Sequence, residues 1–201
     1  MLTFTQKIEL ISILSKNRNL IDATNQANGP DQDNLYQEYC GDKRIVLNDL
    51  FIGNFRISQK FGENHNIYEQ FGLSGHDGVD FACPNGTQLI APFDGMIISV
   101  KNSGKSGYGY HVKIWNRKNC CVLYGHMKSV SVKLWQIVKQ GQLIGLSDNT
   151  GFSTGPHLHL GVCLTNLLGY RLNKNNGFLG WVNPLDKSTF KWDIKNPIKP
   201  I

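Results

Sequence analysis

The chain of 201 residues is long enough for one domain of ordinary size with a short appendage, and too short for two full domains. With 40% hydrophobic and 18% charged residues it is too apolar for a disordered chain, and its apolar runs, such as Cys120 to Tyr124, fall far short of the roughly 20 residues that a transmembrane helix needs. Charge is uneven: residues 1–50 carry 5 Lys+Arg against 7 Asp+Glu, a net of −2, and residues 51–201 carry 16 against 8, a net of +8. A basic working region fits an anionic surface or polymer, whereas scattered lysines without a basic run interleaved with aromatics argue against nucleic acid.

At the amino terminus, Phe4, Ile8, Ile11 and Leu14 recur at helical spacing, which predicts a short amphipathic helix over residues 3–16. Lys7, Glu9, Ser12 and Ser15 interrupt the apolar core of about 7–15 residues that a secretory signal requires. Asn25 to Asn34, with Gly29-Pro30, reads as a linker, so a boundary is expected near residues 40–50. The division is then an appendage over 1–50, a working domain over 51–190 and a tail over 191–201.

From Phe51 onward, short β-branched and aromatic runs broken by turn signals predict an antiparallel β domain, mainly β in class. Thr87 to Ala91 and Met96 to Val100, separated by Asp94-Gly95, predict a hairpin. Further strands are expected at 110–116, 119–125, 142–146 and 157–163. Between them, Ser103 to Gly109 and Ser147 to Gly155 are glycine- and serine-rich loops of the kind that carry sites on a rigid sheet. Cys40, Cys83, Cys120, Cys121 and Cys163 are odd in number, lack paired metal spacing and read as mostly free thiols.

Four of the six histidines fall into three constellations. In Gly75-His76-Asp77-Gly78-Val79-Asp80, a glycine-containing turn can fold a histidine and a carboxylate toward one point. In His157-Leu158-His159-Leu160, strand alternation puts both imidazoles on one face and both leucines in the core. Two imidazoles on one face are costly to bury unless something binds them, and nitrogen, oxygen and nitrogen donors suit zinc with one position left open for water. The third constellation, Tyr124-Gly125-His126-Met127, ends a predicted strand and enters a loop. His65 and His111 match no pattern and are expected to be exposed or locally bonded.

Together, His76-x-x-x-Asp80, Tyr124-Gly125-His126 and Thr150 to His159 resemble, in order and at similar separation, the three motifs of the lysostaphin and LytM-type zinc metalloendopeptidases, enzymes that cleave peptide bonds in bacterial peptidoglycan. The resemblance covers roughly residues 54–165, and Trp181-Val182-Asn183-Pro184-Leu185 resembles a closing segment of many members. It implies a β-sheet groove domain walled by the two glycine-rich loops. It also implies His76, Asp80 and His159 as zinc ligands, with His126 and His157 as unliganded catalytic histidines. Spacing alone does not divide His157 from His159.

The expected partner is a peptidoglycan peptide, the expected site of action is the cell wall, and anionic wall polymers would attract the basic domain. A monomer is expected. Without a recognisable signal, delivery by a phage particle, release on lysis, unconventional export or cleavage from a longer precursor are the routes considered, phage delivery foremost. Two competing readings are a non-catalytic relative that binds wall peptides or activates another hydrolase, and a small β protein with a structural zinc closed by Cys83 or Cys163.

Overall fold

The computed structural model describes residues 44–53 and 56–193. The helix expected over 3–16, the linker, Cys40 and the end of the tail lie outside those residues. Among the described residues are thirteen strands and one short helix, α1 (His65–Tyr68), which runs into a 3₁₀ turn over Glu69–Phe71. Neither turn was expected from sequence, because His65 to Phe71 is too short to show a helical period. No helix of the described residues is long and apolar enough to cross a membrane.

The large sheet is built from β2 (Arg56–Gln59), β3 (Val79–Ala82), β5 (Gly95–Asn102), β6 (Tyr110–Trp115), β7 (Cys120–Gly125), β9 (Ile137–Val138), β11 (His157–Leu164) and β12 (Trp181–Val182). Its order is β2-β3-β11-β7-β6-β5-β9, with β12 added to the far end of β11, and every pairing is antiparallel. A smaller antiparallel sheet orders β4 (Gln88–Ile90), β10 (Leu143–Ser147) and β8 (Met127–Val130). A parallel pair joins β1 (Ile45–Asn48) to β13 (Phe190–Asp193). Strand β1 lies on the appendage side of residue 50, yet Ile45, Leu47 and Leu50 pack into the same core as Val79, Phe81 and Leu158.

Strict period-two alternation decides which face carries chemistry. Along β11, Leu158, Leu160 and Val162 are fully buried in the main core. Val79 and Phe81 of β3, Val122 and Tyr124 of β7, and Val112 and Ile114 of β6 join them there. Burying each such side chain contributes about 1.5–3 kcal/mol, so a one-residue slip of β11 would exchange two leucines for two histidines in the core. The Tyr124 hydroxyl donates to the Ile90 carbonyl at 2.8 Å, tying the large sheet to the small one. The opposite face of the same strands presents His157, His159, Asp80, Gly125 and His111.

The hairpin expected between 87–91 and 96–100 does not form. Strand β4 pairs with β10, and β5 pairs with β6 and β9. The intervening Ala91-Pro92-Phe93-Asp94 carries the chain from one sheet to the other: Ala91 N–H donates to Gln142 O at 2.9 Å, and buried Phe93 lies in the core between them. The remaining strands expected from sequence are present, with bounds differing by no more than one residue at either end.

Candidate metal centre

Strands β3 and β11 pair so that His159 stands directly opposite Asp80, and β7 places Gly125 on the other side of His159. Gly125 leaves the space beside His159 open, since a Cβ there would sit 3.2 Å from His159 Cβ. His76 enters from the loop before β3. Three donor atoms result that nearly touch: His76 Nε2 lies 3.0 Å from His159 Nδ1 and 3.1 Å from Asp80 Oδ1, and His159 Nδ1 lies 3.0 Å from Asp80 Oδ1. All three residues are buried. Among the described residues this is the one group of three such side chains able to hold a metal ion.

The donor set fits a cation for a specific reason. His76 Nδ1 lies 3.1 Å from the Lys60 carbonyl, which can only accept, so the proton of a neutral His76 sits on Nδ1 and Nε2 turns its lone pair inward. Asp80 contributes a second lone pair. Burial by itself would raise the Asp80 carboxyl, but the adjoining His159 and His76 imidazoles outweigh it and hold the group well below the usual carboxylate range. Burial likewise opposes charge on His159, and the Asp80 and Asp77 carboxylates overcome it and raise the imidazole. Lone pairs and a carboxylate drawn together away from solvent are stabilised by a shared positive charge, and two nitrogens with one oxygen suit zinc-like ions.

His126 and His157 stand beside this group. The His126 ring centroid is 4.6 Å from that of His157 and 5.7 Å from that of His159. Residue 126 links β7 to β8 with φ 58°, a left-handed conformation unusual for a residue with a Cβ. Its backbone N–H donates to Tyr108 O at 2.9 Å, and its Nδ1–H donates to Thr150 O at 2.6 Å. Thr150 is fixed in turn by donating through Oγ1 to Met127 O. Burial, with His159 and His157 close by, pushes the His126 pKa down to about 3. His157 is similarly held by Nδ1–H donation to Gly155 O at 2.8 Å, and its Nε2 lies 3.4 Å from Asp80 Oδ2. Both imidazoles therefore direct Nε2 toward the cluster.

All five residues singled out by sequence thus meet at one place. The two glycine-rich loops also meet: Gly151 N–H donates to Gly104 O and Phe152 N–H to Gly107 O. His65 is exposed, and His111 is buried with Nδ1 donating to Gly109 O at 2.9 Å. Cys83 and Cys163 stay out of the cluster; Cys83 packs in the main core, while Cys163 pairs across the strands with Cys121 in a second apolar cluster containing Trp181. Sequence reasoning missed Tyr68, Asp77 and Tyr108. The Tyr68 ring is 5.3 Å from that of His76, and burial and the Asp80 charge push its hydroxyl up to about 12. No spacing pattern marks any of the three.

An antiparallel sheet with a buried His-Asp-His cluster on one face defines a β-sheet domain with a candidate metal centre as the class of protein. The model of peptidase family M23 matches residues 74–168, the stretch that supplies all five side chains, and those residues are an M23 peptidase domain. Over 166 residues it is 31% identical to the peptidoglycan DD-endopeptidase ShyA of Vibrio cholerae, covering 79% of this chain and 35% of ShyA. The catalytic domain of lysostaphin from Staphylococcus simulans superposes with TM-score 0.52 at 27% identity, covering 67% of this chain and 92% of that domain. A zinc containing peptidase from Vibrio cholerae superposes with TM-score 0.52 at 28% identity, covering 65% of this chain and 41% of that one. The match spans roughly a fifth to a third of the length of the first curated relatives.

Proposed function

We propose that the chain is a zinc-dependent endopeptidase that hydrolyses peptide bonds of bacterial peptidoglycan, with His76, Asp80 and His159 as the metal ligands and His126 and His157 as the catalytic histidines. The observation that carries this reading is the approach of His76 Nε2, Asp80 Oδ1 and His159 Nδ1 to within 3.1 Å of one another in a buried place. The zinc containing neighbour and the DD-endopeptidase relative support the metal and the substrate respectively.

When bound, zinc supplies Lewis-acid chemistry that polarises a peptide carbonyl and acidifies water. The protein supplies proton handling. His126 and His157 keep Nδ1–H engaged by backbone carbonyls, which fixes the tautomer and leaves each Nε2 free to take a proton from an attacking water. Once protonated, the same Nε2–H can hydrogen-bond a developing oxyanion or deliver the proton to the leaving amine. The excess of positive charge over residues 51–201 would hold the protein on anionic wall polymers in a manner weakened by salt.

The test is digestion of purified wall material, scored by newly released amino groups alongside zinc content. The wild type should bind about one zinc per chain, as a single three-ligand site requires, and release amino groups. Asp80→Ala and His159→Ala should do neither. A wild type that holds zinc but releases none would favour the non-catalytic binding module instead.

A further inference from the structure

We propose that Asp77 and Tyr108 are positioning residues for His159: a carboxylate braced by a phenol, which keeps the proton of that imidazole on Nε2 and so turns the Nδ1 lone pair toward His76 and Asp80. The inference rests on the reading of His159 as a metal ligand.

His159 is 3% exposed, and its Nε2 is wholly buried without a hydrogen bond. A buried N–H left unpaired costs about 1–3 kcal/mol, so an acceptor is needed there. Asp77 Oδ1 lies 3.6 Å from it, about half an ångström beyond a hydrogen bond, and Asp77 is itself buried. The other Asp77 oxygen, Oδ2, accepts from the Tyr108 hydroxyl. That bond sets the plane of the carboxylate while leaving Oδ1 free to close on the imidazole.

The ring is also held sideways. Tyr108 lies against it with centroids 5.1 Å apart. On another side is Gly78, where a Cβ would stand 2.6 Å from His159 Cε1 and 2.5 Å from Leu160 O. Between these walls the imidazole has little freedom to rotate, and a lone pair on Nε2 facing the Asp77 carboxylate would be repelled. With a cation shared by Nδ1, His76 and Asp80, the single proton of a neutral His159 is therefore left to Nε2, the arrangement in which an outer carboxylate orients a ligating histidine and raises its basicity.

The experiment measures zinc affinity of the full chain by competition with a chromogenic chelator. It also records, in the metal-free 15N-labelled protein, the downfield resonance of the His159 Nε2–H. Asp77→Ala should bind zinc 10–100-fold more weakly, the range seen when outer partners of a ligand are removed, and should lose the resonance by exchange with solvent. Because that variant leaves the Tyr108 hydroxyl unpaired, a second one, Asp77→Leu with Tyr108→Phe, replaces both partners by apolar groups and should fold. A merely structural role gives this double variant wild-type affinity and an unchanged resonance, which would overturn the proposal; the same 10–100-fold loss supports it. Should the wild type bind no zinc, the metal reading fails, and the resonance alone then decides whether Asp77 holds the proton.

Discussion

His76 Nε2 and His159 Nδ1 lie 3.0 Å apart although 83 residues separate them in the chain. With the His76 proton engaged by Lys60 O, that contact brings one lone pair up to a nitrogen that can either donate to it or share a cation with it. Without a cation, burial opposes a charge on His159, and the Asp80 and Asp77 carboxylates overcome it and favour a proton there. A bound cation satisfies His76, Asp80 and His159 at once.

Metal removal should therefore destabilise the fold around β3 and β11. Any ion that binds only the folded chain adds RT ln(1 + [L]/Kd), about 4 kcal/mol at a thousandfold excess over Kd. The thermal midpoint should fall on chelation and recover when zinc is returned, and a midpoint indifferent to chelator would count against the site.

The two outer histidines should separate binding from chemistry. His126→Ala and His157→Ala are expected to retain zinc at the wild-type level while the rate of amino-group release drops about 10²–10⁴-fold, the usual contribution of a positioned acid or base. Loss of zinc in either variant would place that histidine among the ligands.

Protonation of His126 sets a pH window. Burial first, then the neighbouring His159 and His157, hold its pKa near about 3 against an ordinary 6.5. Between those two values the unfolded chain takes up a proton there that the folded chain does not, so stability falls as pH drops through the window. Chelator-treated wild type should lose more of its thermal midpoint between pH 7 and pH 4 than His126→Asn, which lacks the effect. His159 titrates in both proteins and largely cancels; parallel slopes would contradict the assignment.

Gly78 should tolerate no side chain. An added Cβ would meet the His159 ring and Leu160 O inside 3.0 Å, with backbone unable to yield on one side. Gly78→Ala should cost about 1–3 kcal/mol of stability, as overpacking does, and weaken zinc binding; wild-type values for both would show that the pocket is looser than described.

Much of this site could be read in the chain before any coordinates. The alternation His157-Leu158-His159-Leu160 follows from the period of two, and buried Leu158 and Leu160 confirm which face is core. Which of His157 and His159 meets His76 and Asp80 is different, since it depends on the register that sets His159 opposite Asp80 across 79 residues. Local pattern holds no information about such pairing. The failed 87–100 hairpin has the same cause: both strands are recognisable, but their partners β10, β6 and β9 lie elsewhere in the sequence. Asp77 and Tyr108 are single residues in loops, and only the fold brings one to the other.

Zinc-edge X-ray absorption on the zinc-loaded chain is the most direct check of the three-residue site. The account requires a first shell of nitrogen and oxygen only, at about 2.0–2.2 Å, with two imidazoles contributing, and its disappearance in His159→Ala. Sulfur scattering at about 2.3 Å would instead assign the ion to cysteine and contradict the site described here.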